Sequence, residues 1–408
     1  RSTFVDCMKA LKEDARLALE GLPWEYGDAA EMQRLSAKYA GADQGKVTRV
    51  FGANFIGRMS GKVVEAFVAK ADLLAASPAY SDQSGVDWKT AAASAAKVLN
   101  HIGGVDGMDP TGWTWYCNVD DIEKLSPTES PAEILWRGER AKSLSLEEDN
   151  FPPTLYGNGR INPTQNLVDA FPMLNGYPVS HLSGEYDENL PYANRDPRLE
   201  AYILYNGCKA GNTNKEIFTA ADGTTNDALN KVVGRSTRTG YYLRKLLRQD
   251  ISLDPNAKAD QYHYTPRIRY TEIFLAYAEA ANQAYGPQDK GGNGYSAYDV
   301  VKKLRHRAGI GRDNGDAYLE SIKNDQAKMA ELIRNERRIE LCFEGFRFWD
   351  LRRWKSNLTE TAKGMNISGT RYTPMEVDKR SFSEYMYYGP IPYSEVLKYD
   401  ELKQNQGW

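Results

Sequence analysis

Cysteine and histidine are scarce in this chain of 408 residues, with four of each. Cys7, Cys117, Cys208 and Cys342 lie far apart and form no CxxC pair, which argues against both a zinc site and a disulfide framework. Cys342 sits among apolar residues and reads as a small buried hydrophobe. His101, His181, His263 and His306 are scattered, and each reads as a surface or packing residue rather than a ligand. HExxH, GxSxG, Walker A and EF-hand patterns are all missing, so the chemistries they mark have no local signature here. No cofactor is expected, and the sequence is silent on a structural Ca²⁺. No apolar run is long enough to span a bilayer, and no signal peptide is visible at the start. A surplus of positive charge is absent too: 52 Lys and Arg face 55 Asp and Glu, whereas a nucleic-acid binder carries a basic domain or stripe. The acidic residues guarantee chance carboxylate pairs, but none is singled out by its surroundings as a glycosidase pair would be. These absences move the reading from enzyme toward binding protein.

Helical periodicity and aromatic side chains are what the chain has in quantity. Val5, Met8, Leu11 and Ala15 fall at helical spacing, and Leu19 and Leu22 continue the stripe. An opening on a helix already in progress is expected of a chain that begins inside a longer protein. "KVTRVFGANFIGRMSGKVVEAFVAKADLLAAS", residues 46–77, predicts a long helix stopped at Pro78. "DWKTAAASAAKVLN" predicts a second over residues 87–100. A similar pair returns as "PRIRYTEIFLAYAEAANQAYG", a helix from about Pro266 to Tyr285, and "SAYDVVKKLRHRAG", with Asp299 near its start and Gly309 placed to cap its end. Small residues along these seams fit tetratricopeptide-like pairs and plain helical hairpins equally. Residues 1–103 thus read as a helical segment and 104–265 as a loop-rich insert with short strands such as "AEILWRG" and "LEAYILYNG". Residues 266–355 carry the second helix pair and a charged helix, and 356–408 form a loop-rich tail packing on the core.

"RNERRIELCFEGFRFWDLRRW", Arg334 to Trp354, mixes dense charge with dense aromatics. On an ideal helix of about 100° per residue, Ile339, Phe343 and Phe346 fall within about 40° of Leu332. Glu336 falls inside the same apolar face, and a carboxylate there cannot sit unpaired. Arg347, Arg352 and Arg353 are its expected partners, with Gly345 allowing a bend between two helices. The segment therefore reads as structural, since arginine stays protonated and makes a poor general acid or base.

With these residues laid out, the chain resembles the SusD/RagB family of cell-surface glycan-binding lipoproteins of Bacteroidota. "NERRIELCFEGFRFWDLRRW" is similar to the family's most recognisable segment, and "RIRYTEIFLAYAEAANQAYG" with "VVKKLRHRAGI" to the helix pair before it. "INPTQNLVDAFPMLNGYPV", "RDPRLEAYILYNG" and "YYGPIPYSEVLKYDELKQNQGW" resemble its middle and its C-terminus, and the early "AKADLLAASPAYS" also fits. The resemblance implies a mainly α fold, with tetratricopeptide-like helix pairs supporting a loop-rich region that contains short strands. It also implies no catalytic activity, and an oligosaccharide captured for a SusC-like TonB-dependent transporter in the outer membrane. Its implied lipid-anchoring Cys is not in this chain, since Cys7 reads as part of a helix, and the family's N-terminal helices are not in it either. An oligopeptide-binding member of the family is the alternative, and a glycoside hydrolase the third reading.

Sugars present apolar C–H faces and hydroxyl rims, so stacking aromatics and polar rim residues are the groups to look for. "MDPTGWTWYCNVDD" places Trp113 and Trp115 in alternation, on one face if the loop is extended, with Tyr116 and Asn118 beside them. "TLYGNGRINP" offers Tyr156, Asn158 and Arg160 on a glycine-rich turn. A tryptophan pair that merely pins a long loop is the competing reading. Trp24, Trp88, Trp136, Trp349 and Trp354 sit in periodic segments and read as core.

Overall fold

A computed structural model describes residues 2–39 and 43–408, and the chain is mainly α-helical with a few short two-stranded sheets. The opening stripe forms α1 (Phe4–Gly21), capped by the Thr3 hydroxyl, which accepts from the Asp6 N–H at 3.1 Å. The long helix expected over residues 46–77 is broken. It becomes α3 (Gln44–Phe51), after α2 (Ala29–Lys38), and then α4 (Gly61–Ala76). Gly52 caps α3, and Gly57 turns the chain at φ 99°, a conformation open to glycine and costly for other residues. α5 (Trp88–Asn100) starts where expected, with the Asp87 carboxylate accepting from the Thr90 N–H at 2.8 Å.

The later helices are α6 (Tyr270–Tyr285), α7 (Ala297–Arg307), α8 (Gln326–Glu340) and α9 (Phe346–Arg353). α6 begins four residues later than expected, because residues 261–269 are extended: Pro266 can donate no helical hydrogen bond, and the residue before it is pushed toward β geometry. α7 carries a capping box between Ser296 and Asp299, and Gly309 follows it at φ 98°. α4, α5 and α6 pack together with α8 against α6. Ala66 and Ala69, Ala92 and Ala95, and Ala278 and Ala281 are buried in one cluster between them, small side chains that let helix axes come close. Among the described residues, no helix is long and apolar enough to cross a membrane.

β1 (Ile134–Ser143) pairs antiparallel with β2 (Gln261–Arg269), with register irregularities between Ile134 and Arg140. The strand expected in "LEAYILYNG" shrinks to Ile203–Leu204, since Asp196 caps a short helix over Pro197–Tyr202. The C-terminal tail contains an unforeseen hairpin, β3 (Ala362–Ser368) and β4 (Arg371–Asp378), turned at Gly369 with φ 57°.

In the charged segment, α8 ends at Glu340, Phe343 takes a left-handed φ of 65°, and Gly345 starts α9 at φ 84°. The helical wheel therefore holds for Leu332, Glu336 and Ile339, all buried, and lapses for Phe343 and Phe346. Glu336 is 0% exposed and paired, as expected, but its partners are different. It accepts from Arg198 Nη1 at 2.7 Å and from Arg305 Nη1 at 2.8 Å, not from Arg347, Arg352 or Arg353. Arg198 also grips Asp196 at 2.7 Å and Glu340 at 3.0 Å, and Arg305 grips Asp316 at 2.6 Å. Glu133 and Glu340 then share Arg269 and Arg307. Burial pushes the Glu340 carboxyl up, but Arg307, Arg198 and Arg269 outweigh it and hold the pKa down at about 2. A second knot joins Arg353 to Glu279 at 2.6 Å and to Asp350 at 2.8 Å, with Arg337 on Asp350 at 3.0 Å.

Candidate ligand-binding site

The Trp113–Tyr116 stretch is a turn, not an extended loop. Gly112–Thr114 coil into a single 3₁₀ turn, so the two tryptophans do not share a face. Gly112 packs closely there: a Cβ would lie 2.3 Å from Glu133 Oε2 and 2.8 Å from Arg307 Nη1, so the turn sits directly against the ionic core. Trp113 is half-buried, and its carbonyl accepts from the Tyr202 hydroxyl at 2.8 Å. Trp115 is 4% exposed and Tyr116 5%, with their rings edge-to-face at 5.6 Å. The Tyr116 hydroxyl donates to the Ala201 carbonyl at 3.1 Å. Neither ring is thus an open surface platform, which corrects the expectation of an exposed pair. Asn118 is half-buried and bonds Asp121.

Trp115 and Tyr116 do, however, line a cavity of about 450 Å³ beside the β1–β2 ribbon. Tyr264, Phe346 and Leu246 supply apolar wall, and Glu139, His263, Arg267 and Glu272 supply polar groups. Trp115 and Glu272, both lining residues, each carry a buried polar atom, Nε1 and Oε2, with no hydrogen-bond partner. Such atoms are costly unless something pairs with them. One is a donor and the other an acceptor, and a hydroxyl can serve either. Burial raises the Glu272 carboxyl above its usual range, while Lys70, 2.7 Å from Oε1, pulls it back. Glu344, also on the lining, is held low against its burial by Arg269 and Lys245. His263 has both ring nitrogens engaged, with Glu147 Oε1 and with the Gln261 carbonyl, each at 3.1 Å. The ribbon above is laddered with cation–aromatic contacts: Arg140 lies 3.6 Å from the Tyr262 ring centre, and Arg267 lies 4.6 Å from that of Trp136.

Tyr156, Asn158 and Arg160 are not on the lining of this cavity, and their turn bonds the short helix Ser145–Asn150, whose first two residues are. The Asn158 N–H donates to Glu148 O at 2.9 Å, and Arg160 pairs with Asp149 at 2.9 Å. Tyr156 is 46% exposed and held at φ 66°, a backbone conformation unusual for an aromatic residue. Lys215 Nζ lies 5.7 Å from its ring. The turn therefore presents one open ring with basic neighbours.

Tyr264, His263, Glu272 and Phe346 were not among the residues the sequence nominated. The Tyr-His-Tyr alternation of residues 262–264 was the available signal, since period two marks a strand with one face inward. Trp354 is buried as expected, and Trp24, Trp88 and Trp136 are half-buried. Trp349 is not core: it is 63% exposed beside Phe348, with ring centres 5.0 Å apart. Among the described residues, no three His, Cys, Asp or Glu side chains are grouped to hold a metal ion.

Comparison with known proteins follows the same lines. Residues 136–408 match the SusD family. Two curated relatives from Formosa agariphila, SusD-like protein P38 and SusD-like protein P2, are 33% identical over 85 residues and 32% identical over 152 residues. Those matches take in 21% and 37% of this chain, and only 16% and 26% of the relatives' own lengths. A SusD-like protein from Bacteroides fragilis superposes with a TM-score of 0.70 at 25% identity, over 99% of this chain and 71% of that one. A SusD-like carbohydrate binding protein from the same species gives a TM-score of 0.63 at 22% identity, over 90% of this chain and 68% of its own.

Proposed function

The chain belongs to the SusD family, and from that premise we propose that it binds a saccharide at the cavity beside the β1–β2 ribbon without breaking it. The observation that carries this reading is a cavity whose lining joins aromatic side chains, Tyr264 and Phe346, to polar ones, Glu139, His263 and Arg267. A ring rimmed with hydroxyls suits the polar groups, and its C–H faces suit Tyr264 and Phe346. Trp113 and Asn118 support this site from the turn that carries Trp115 and Tyr116. Tyr156, Asn158 and Arg160, on the turn that bonds the helix Ser145–Asn150, extend contact to a longer chain. The fold shared with a carbohydrate binding protein from Bacteroides fragilis supports the same ligand class. In this reading the protein works at the cell surface, tethered to the outer membrane by a lipid anchor. There it captures an oligosaccharide and passes it to a SusC-like TonB-dependent transporter.

Calorimetric titration with a panel of neutral oligosaccharides tests the proposal. Arg267→Met removes a charged group of the lining and keeps the length of the side chain. It should weaken binding by about 10-fold or more, the value of a hydrogen bond to a charged group. Tyr156→Ala should weaken long oligosaccharides and leave short ones unchanged. Binding of peptides in place of saccharides, or release of shortened sugars during the titration, would overturn the reading.

A further inference from the structure

The outer face of the Arg334–Trp354 segment forms a second cleft, of about 400 Å³. α8 contributes Arg334 and Arg338, one turn apart, α9 contributes Arg347 and Leu351, and Trp354 follows directly after α9. The loop from Ser356 to Glu360 closes the remaining side. The state of the arginines sets this cleft apart. In the ionic core, Arg198, Arg269, Arg305, Arg307, Arg337 and Arg353 all meet carboxylates within 3.5 Å. Arg347 is half-buried and, among the described residues, has neither an ion pair nor a hydrogen bond. Arg338 reaches its closest carboxylate, that of Glu360, only at 4.0 Å. Burial pushes the Arg347 guanidinium down to about 10; Arg338 and Arg380 push the same way, and the Glu360 and Asp350 carboxylates only partly oppose them. Arg334 is set over the Trp354 ring at 5.1 Å. Three arginines against two glutamates, Glu331 and Glu360, line the space.

Two partly desolvated guanidinium forks, neither hydrogen-bonded to a carboxylate and one of them 4.0 Å from Glu360, face one cleft and match the geometry that grips an oxyanion. Leu351 and Trp354 add an apolar wall of the kind a sugar ring packs on. We propose that this cleft is an oxyanion subsite that takes the carboxylate or sulfate group of an acidic saccharide, gripped by Arg338 and Arg347. The anion follows from the cleft alone, and the saccharide carrier rests on the function proposed above.

The full chain is titrated with methyl β-glucuronide, glucose 6-sulfate, methyl β-glucoside and inorganic sulfate, followed by calorimetry and by the NMR signals of the arginine side-chain N–H groups. The anionic sugars should bind at least tenfold tighter than the glucoside, and Arg347→Gln or Arg338→Gln should abolish that preference. Neutral oligosaccharide binding should be unchanged in both variants. If a glutamine variant melts early, Leu351→Trp, which fills the cleft and keeps both arginines, should produce the same loss. Equal affinity for charged and neutral sugars, or a preference that survives in Arg347→Gln, overturns the site. Inorganic sulfate binding as tightly as the anionic sugars overturns the saccharide carrier. Failure of neutral oligosaccharides alone, with the anionic sugars still bound, overturns the ribbon cavity and leaves this cleft standing.

Discussion

Replacing Glu336 with alanine should cost about 3 kcal/mol of folding stability, the low end of the range for breaking a buried ion pair. The low end applies because neither cation is stranded. Arg198 keeps Asp196 at 2.7 Å and Glu340 at 3.0 Å, and Arg305 keeps Asp316 at 2.6 Å and the Gly176 carbonyl at 2.8 Å. Lost are two charge-assisted hydrogen bonds, of 2.7 and 2.8 Å, and the packing of a side chain with no exposed surface. Unfolding entropy of about 2.1 cal/mol/K per residue over 408 residues amounts to about 0.9 kcal/mol/K, so the melting temperature should fall by about 3–4 °C. Urea denaturation and calorimetry measure both quantities. Arg347→Ala is the informative control, because that guanidinium bonds no carboxylate and its loss should leave the melting temperature within about 1 °C of the parent. A Glu336→Ala protein as stable as the parent, or an Arg347→Ala protein destabilised as much, would refute the assignment of partners.

Other measurements probe the same interior. Glu340 has its carboxyl depressed to about 2. It therefore contributes stability in full above the unfolded value near 4.5, about 3 kcal/mol, and loses it as pH falls from there toward 2; Glu340→Gln should flatten urea stability across that window. Arg353 bonds both oxygens of Glu279, at 2.6 and 2.7 Å, so Arg353→Lys, which cannot reproduce the fork, should lower stability by about 1–3 kcal/mol in the same assay. Cys7 is exposed, whereas Cys117, Cys208 and Cys342 have thiols pushed up by burial to about 11. A thiol reagent at neutral pH should therefore label Cys7 rapidly in the folded protein and the other three only on unfolding.

What could be read from the sequence was what depends on near neighbours in the chain. The Asp87 cap, the Ser296–Asp299 box and the inward turn of Glu336 all follow from spacings of three or four residues. The break in the 46–77 helix was written in Gly52 and Gly57, but alanine-rich flanks outweighed them. The partners of Glu336 were out of reach, because Arg198 is 138 residues away and only the folded chain brings it close. The same limit hid the ribbon cavity. Tyr264 and Glu272 meet Trp115 through strand pairing and helix packing that no short-range pattern encodes. Trp349 misled because α9 is too short for its periodicity to say which face is covered.

Glu133 bears on how this protein can be cut. It lies three residues before the stretch that matches the family. Its carboxylate accepts from Arg269 at 2.7 Å and from the Thr271 N–H at 3.0 Å, and it faces Arg307 at 3.5 Å. A recombinant fragment started at residue 136 would leave both guanidinium groups short of a counter-charge in the interior. An expression boundary drawn from sequence similarity alone would sever the chain inside its own electrostatic keystone. Boundaries for soluble fragments should be set upstream of the 112–133 turn region.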